Sequence, residues 1–183
     1  MKRIAVIGCC GAGKSQLSLE LGRRLGLPVI HLDQLAWQAG WVEVDRDELV
    51  RRQQAAFTND GTWIADGNYG STMALRLAMA DTIVFLDFAT PICLYRVLKR
   101  RVQYVGRTRP DMAPGCPERF LDGEFPKFLR YVATFRRKHR PRILDKLATV
   151  DASQMLITLR TPGEVRRFLA AIASPGPRAR PPA

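Results

Sequence analysis

The segment Gly8 to Ser15, GCCGAGKS, constrains the fold more than any other stretch of the chain. It satisfies the pattern GxxxxGKS/T in full. It also lies between a continuous apolar run, Ile4 to Ile7, and a segment carrying Leu17, Leu21 and Leu25 at helical spacing. Such a run marks a strand buried on both faces, as the middle of a parallel sheet requires. Gly26 and Pro28 stop the helix that follows. Between the two, Gly8, Gly11 and Gly13 let the backbone curl around an anion with its amides turned inward, where the helix dipole also favours negative charge. Gly8, Gly11, Ala12, Gly13, Lys14, Ser15 and Gln16 are therefore the expected phosphate-binding residues. Lys14 would bridge β and γ phosphates, and the Ser15 hydroxyl would ligate Mg²⁺.

The remaining pattern extends this unit into an α/β fold. Apolar segments recur at Val29 to Leu32, Trp63 to Ala65, Thr82 to Leu86 and Met155 to Leu159. Between them, helical spacing covers Arg46 to Phe57, Ser71 to Met79, Pro91 to Val105, a basic stretch from about Gly123 to about Leu147, and Pro162 to Ile172. Strands alternating with helices predict a doubly wound, three-layer α/β/α fold with a five-stranded parallel sheet. The segment from Gly106 to Pro126 is dense in Gly, Pro and charge, and predicts an irregular lid. At 183 residues the chain suits one domain, here 1–173, followed by a disordered tail at 174–183 reading SPGPRARPPA.

Composition narrows the setting. No apolar stretch approaches the ~18 residues needed to span a bilayer. Cys9, Cys10, Cys93 and Cys116 show neither metal-ligand spacing nor a disulfide framework, which predicts a reducing, cytoplasmic setting. Cys9 and Cys10 fill variable positions of the loop, as inert spacers or as redox-sensitive thiols. The net charge is +12, and between Arg96 and Lys146 there are 15 basic residues against 5 acidic ones. Polyanionic partners must be considered on that ground.

Asp66 ends the strand-like Trp63-Ile64-Ala65 run and opens Asp-Gly-Asn-Tyr, a position from which a carboxylate can hold Mg²⁺ or its water. Asp87, after Thr82 to Leu86, is the rival, and helix capping is the alternative for either. With the phosphate loop, LPVIHLD at Leu27 to Asp33, Gly40-Trp41, WIADGNY at Trp63 to Tyr69, RLAMADTIVFLD at Arg76 to Asp87 and GRTRPDMAPGCPERF at Gly106 to Phe120, the chain resembles the adenylate kinase-like group of P-loop proteins. Within that group it is most similar to the DNA topology modulation protein family, from Lys2 to about Leu169. Asp66-Gly67 resembles the Asp-Gly of nucleoside-monophosphate kinases, which implies Asp66, with Ser15, at the metal. The resemblance further implies ATP as the nucleotide, its adenine beside Arg160, Thr161 and Pro162, with guanine left open. One or two arginines of the helix after the lid, Arg136 first, would turn inward.

Asp33, at the end of the second strand, is the acceptor-site candidate, because ligands of open α/β sheets sit beyond the strands' carboxyl ends. A carboxylate there can take the proton of a substrate hydroxyl. Shikimate and gluconate kinases, similar in architecture, use an Asp in this region. The alternative for Asp33 is a turn residue capping Gln34 to Trp37. Trp37, Trp41, Asn68 and Tyr69 suit a flat or sugar-like acceptor, with hydrophobic packing the alternative for the tryptophans, and His31 reads as a packed strand residue. The adenylate kinase pattern places a phosphate-gripping Arg where this chain has Gly70, leaving Arg76 as a substitute. Arg100, Arg107 and Arg109 flank the lid and could stabilise charge on a transferring phosphoryl group.

Three functions follow as expectations. The first is an ATP- and Mg²⁺-dependent phosphotransferase acting on a small hydroxyl-bearing or nucleotide-like acceptor. The second is a nucleotide-dependent DNA- or RNA-binding regulator, suggested by the basic segment. The third is a bare NTP hydrolase.

Overall fold

The computed structural model describes residues 1–57, 61–119 and 122–172. The expected tail at 174–183, residue 173, and positions 120 and 121 of the lid lie outside them. The sheet has five parallel strands, β1 (Arg3–Gly8), β2 (Val29–His31), β5 (Trp63–Asp66), β6 (Thr82–Leu86) and β7 (Met155–Leu159), in the order β2-β5-β1-β6-β7. The central strand is sealed: Ile4 through Ile7 are at most 1% exposed. Its register sets Val6 opposite both Asp66 and Val84, so Asp66 ends its strand beside the turn that leaves β1.

Helix α1 (Lys14–Leu25) connects β1 to β2, and α4 (Met73–Met79) connects β5 to β6. These crossovers run in opposite directions along the sheet. Right-handed connections therefore put α1 and α4 on opposite faces. Helix α8 (Pro162–Ala171) packs on α1, where Arg24 Nη1 donates to the Leu169 carbonyl at 2.7 Å. Helix α3 (Arg46–Ala56) is capped by Asp45, whose side chain accepts the Glu48 amide at 2.8 Å. Helix α5 (Thr90–Gln103) follows β6.

Two expectations are corrected. The basic stretch is not one helix: it breaks at His139 into α6 (Phe125–Lys138) and α7 (Arg140–Leu147). Pro141, in the first turn of α7, has no amide to donate, and its ring would collide with the Arg137 carbonyl of a continuous helix. Downstream of β2, the expected turn is a short helix α2 (Leu32–Ala36) followed by an antiparallel pair, β3 (Trp37–Gln38) and β4 (Val42–Glu43). Asp33 thus lies in the first turn of a helix rather than capping one from outside.

Candidate functional site

The phosphate loop leaves β1 at Gly8 and enters α1 at Lys14, with Gly13 at φ 97° as the residue preceding the helix. Gly11 adopts φ 82°, and a Cβ there would stand 2.3 Å from the Cys93 carbonyl oxygen at the start of α5. Left-handed backbone and close approach together demand glycine. Gly11→Ala is expected to destabilise the fold by about 2 kcal/mol or more, read as a shift in the denaturant midpoint.

The loop is braced from several sides. Asn68 Oδ1 accepts the Gly8 amide at 3.0 Å, and Arg96 Nη1 donates to the Ala12 carbonyl at 3.0 Å. Lys14 Nζ donates to the Gly8 and Cys9 carbonyls at 3.1 and 3.2 Å. Ala12 is buried, whereas Gln16 faces outward from the first turn of α1. Cys9 is a packed thiol against Cys93: the hydrogen bond between them and burial push Cys9 up. Lys14, Arg96 and Arg136 favour the thiolate of Cys93, whose hydrogen bond to Cys9 is the largest effect lowering it.

At the end of β5, Asp66 is 4% exposed. Its Oδ1 lies 3.0 Å from His31 Nδ1, while Oδ2 is buried and has no hydrogen-bond partner among the described residues. Burial opposes a charged His31, but the Asp66 hydrogen bond and the fields of Asp66, Asp111 and Asp33 raise its pKa. His31 is therefore more than a packed strand residue. An orphaned carboxylate oxygen at the end of β5 is a fitting donor for Mg²⁺ or its water. Asp87 is otherwise engaged: Arg140 Nε and Nη2 grip its two oxygens at 2.8 Å each. Ser15 Oγ donates to Asp111 Oδ2 at 2.8 Å, bringing a lid carboxylate to the loop.

Beyond the carboxyl end of β2, Trp37 Nε1 donates to Tyr69 Oη at 3.1 Å, and Tyr69 Oη donates to Asp33 Oδ1 at 2.7 Å. Burial and the Asp33 charge push the Tyr69 phenol well up, so it remains a donor. Tyr69 has φ 33°, a strained value for an aromatic residue, and it is held there by its neighbours. The agent is Arg76, which is fully buried. Its Nη2 donates to the Gly67 and Asn68 carbonyls, and its Nη1 to Gln53 Oε1 and Thr72 Oγ1 at 3.0 Å each. Burial lowers its pKa to about 10. Arg76 is accordingly not a substrate-gripping residue, because every bond drawn from its guanidinium goes inward to the protein. Asn68 is likewise committed to the phosphate loop and to Tyr131.

The lid folds back on this region. Arg109, 6% exposed, pairs with Asp111 at 3.1 Å and with Glu118 at 2.9 Å. Arg100 is pressed by burial and by the like charge of Arg109, both of which lower its pKa, and the fields of Cys10 and Asp111 reach it. Arg107 is exposed. The lid also holds the α2–β4 segment: Gln34 Nε2 donates to the Pro110 carbonyl, Trp41 Nε1 to that of Pro117, and the Gly40 amide to that of Gly115. Arg136 stays exposed and donates to the Asp87 and Phe88 carbonyls at 3.5 and 3.3 Å. Arg137, Lys138 and Arg142 face solvent. At the end of β7, the Arg160 amide goes to Glu164, Thr161 caps α8 and Pro162 occupies its first turn.

No protein-family model and no curated protein sequence matches the chain. Among solved structures it is similar to a shikimate kinase from Acinetobacter baumannii in complex with shikimate, with a TM-score of 0.53 and 16% identity over 94% of this chain and 90% of that one. A gluconokinase from Sinorhizobium meliloti 1021 matches at 0.51 and 15% identity, over 94% and 93% of the two chains. Deoxyadenosine kinase from M. mycoides with bound dATP matches at 0.50 and 13% identity, over 92% and 97%. The architecture shared with these structures is three layers around a five-stranded parallel sheet.

Proposed function

We propose that the chain is an ATP-dependent phosphotransferase whose acceptor is a hydroxyl group on a small molecule. The observation that carries this reading is Asp33, held by Tyr69 and backed by Trp37 at the carboxyl end of the sheet, while Arg76 is locked away from any acceptor phosphate. A site for a monophosphate acceptor needs a cation to grip that phosphate. Gly70 and the buried Arg76 leave the two expected positions without one. The similar structures that include a shikimate kinase holding shikimate and a gluconokinase support an acceptor of the hydroxy-acid kind.

In this reading the Gly8 to Ser15 amides and Lys14 hold the donor phosphates. Asp33 takes the proton of the acceptor hydroxyl and aims its oxygen at the γ-phosphorus. Arg96 and Arg100, beside the loop, stabilise charge spreading over the transferring group, whereas Arg109 is taken up by Asp111 and Glu118. Ser15 and Asp66 Oδ2 would hold Mg²⁺, which neutralises charge between the β and γ phosphates. The resemblance to the DNA topology modulation protein family belongs to the same proposal and rests on its six sequence segments. Arg101, Arg109, Arg136 and Arg140 are engaged by acidic groups or carbonyls, which weakens the case for a nucleic-acid surface.

The test is to incubate the protein with Mg²⁺ and γ-labelled ATP against sugar acids, shikimate-like alcohols, polyols, nucleosides and nucleoside monophosphates. Label is expected on a hydroxyl acceptor. Transfer only to monophosphates, or none from a protein that binds ATP, rejects the proposal.

A further inference from the structure

We infer that Asp111 is a positioning residue for the divalent cation, carried by the lid: it orients the Ser15 hydroxyl for ligation and so ties the lid to the charge state of the bound nucleotide. This rests on the phosphotransferase reading above and adds to it a residue and a coupling.

A hydroxyl that ligates a cation does so through an oxygen lone pair, so its hydrogen must be directed elsewhere. Ser15 directs it to Asp111 Oδ2 at 2.8 Å. A charged acceptor in that place fixes the rotamer and makes the oxygen a better donor to the metal, the usual work of groups behind a ligand.

The carboxylate is itself held. Arg109 Nη1 lies 3.1 Å from both of its oxygens, and Arg109 is anchored in turn by Glu118. Gln34 grips the preceding carbonyl of Pro110, and Met112 and Cys116 pack with Ala113 against Trp37 and Trp41. Asp111 is thus delivered by a packed loop rather than by a swinging side chain.

A second observation points to the same ligand. Asp66 Oδ2, on a residue 4% exposed, has no partner among the described residues, and His31, bonded to its other oxygen, lies within the field of Asp111. The sign of the coupling follows from charge. Bare phosphates entering the loop are repelled by Asp111, whereas phosphates carrying a divalent cation are not. Asp111 should raise affinity for the cation complex relative to the free nucleotide, and nucleotide with cation should stabilise the lid by the same factor.

The experiment measures binding of a fluorescent ATP analogue by wild type, Asp111→Ala and Asp111→Asn, each with excess Mg²⁺ and with EDTA. The ratio of the two affinities within one variant cancels any general loss of folded protein. The ratio is expected to fall about tenfold in Asp111→Ala, with affinity in EDTA unchanged or higher. A smaller fall is expected in Asp111→Asn, whose amide oxygen still accepts the hydroxyl hydrogen. An unchanged ratio, or equal weakening under both conditions, overturns the inference and leaves Asp111 as a strut for Arg109. A wild-type chain that binds the analogue under neither condition overturns the phosphotransferase reading as well.

Discussion

Asp33→Asn is expected to slow phosphoryl transfer by about 10²- to 10⁴-fold while leaving ATP affinity within about twofold. The amide preserves the size of the side chain and can still accept the Tyr69 hydroxyl, which lies 2.7 Å from Asp33 Oδ1. What it loses is the capacity to take a proton. Single-turnover transfer to the acceptor identified in the panel reads the chemical step, and analogue binding reads the donor site. Tyr69→Phe separates aiming from proton transfer: it keeps the carboxylate but removes its hydrogen bond, and a smaller loss is expected. Equal losses in both affinity and rate for Asp33→Asn would assign the residue to the structure of α2 rather than to the acceptor.

Arg76→Leu is expected to cost about 3 to 5 kcal/mol of stability, read from denaturant unfolding. The leucine fills part of the volume but strands four acceptors: Gln53 Oε1, Thr72 Oγ1 and the carbonyls of Gly67 and Asn68. Each buried acceptor left without a donor costs about 1 to 3 kcal/mol, although Gln53 Nε2 can still donate to Thr72 Oγ1 at 3.0 Å. Arg76→Lys should recover only part, since an ammonium cannot reproduce the planar fork that serves a side-chain pair and a carbonyl pair together. Because the two carbonyls belong to the loop that holds Tyr69 at positive φ, partial rescue of stability should leave acceptor binding impaired.

The sheet and the phosphate loop were legible because their signals are local and strong. Apolar runs bounded by Gly or Asp mark four of the five strands to within a residue, and β6 and β7 match their expected limits. The loop needs glycines at fixed positions, which a sequence displays directly. What failed to show was non-local. The hairpin of β3 and β4 has only two residues per strand, too few for alternation, and it is fixed by lid carbonyls some 75 residues away in sequence, as in the Trp41 bond to Pro117. Arg76 reads as a substitute phosphate-gripping cation until Gln53 and Thr72 are seen around it. Arg96 and Asp111 were both within reach: Arg96 lies one helical turn before Arg100 on α5, and Asp111 closes the Arg-rich run GRTRPD. In a segment dominated by cations, a single carboxylate carries no local sign that it reaches Ser15. The break at His139 follows from Pro141, a signal outweighed by the continuous apolar spacing on either side.

Arg101 sits at the neck of the lid, donating to Glu118 at 2.8 Å and to Asp122 at 2.6 Å, with its guanidinium 4.3 Å above the Phe125 ring. The Gly106 amide closes the same neck on the Glu118 carbonyl. In polymer terms the two ends of the excursion are already cross-linked, so the chain beyond the neck has paid its closure entropy at one place. Each doubling of such a loop adds only about 0.6 kcal/mol. The span between Arg107 and Pro117 is bound by contacts of its own, Arg109 to Glu118 and Met112, Ala113 and Cys116 against Trp37 and Trp41, so a change of length there costs packing rather than closure entropy.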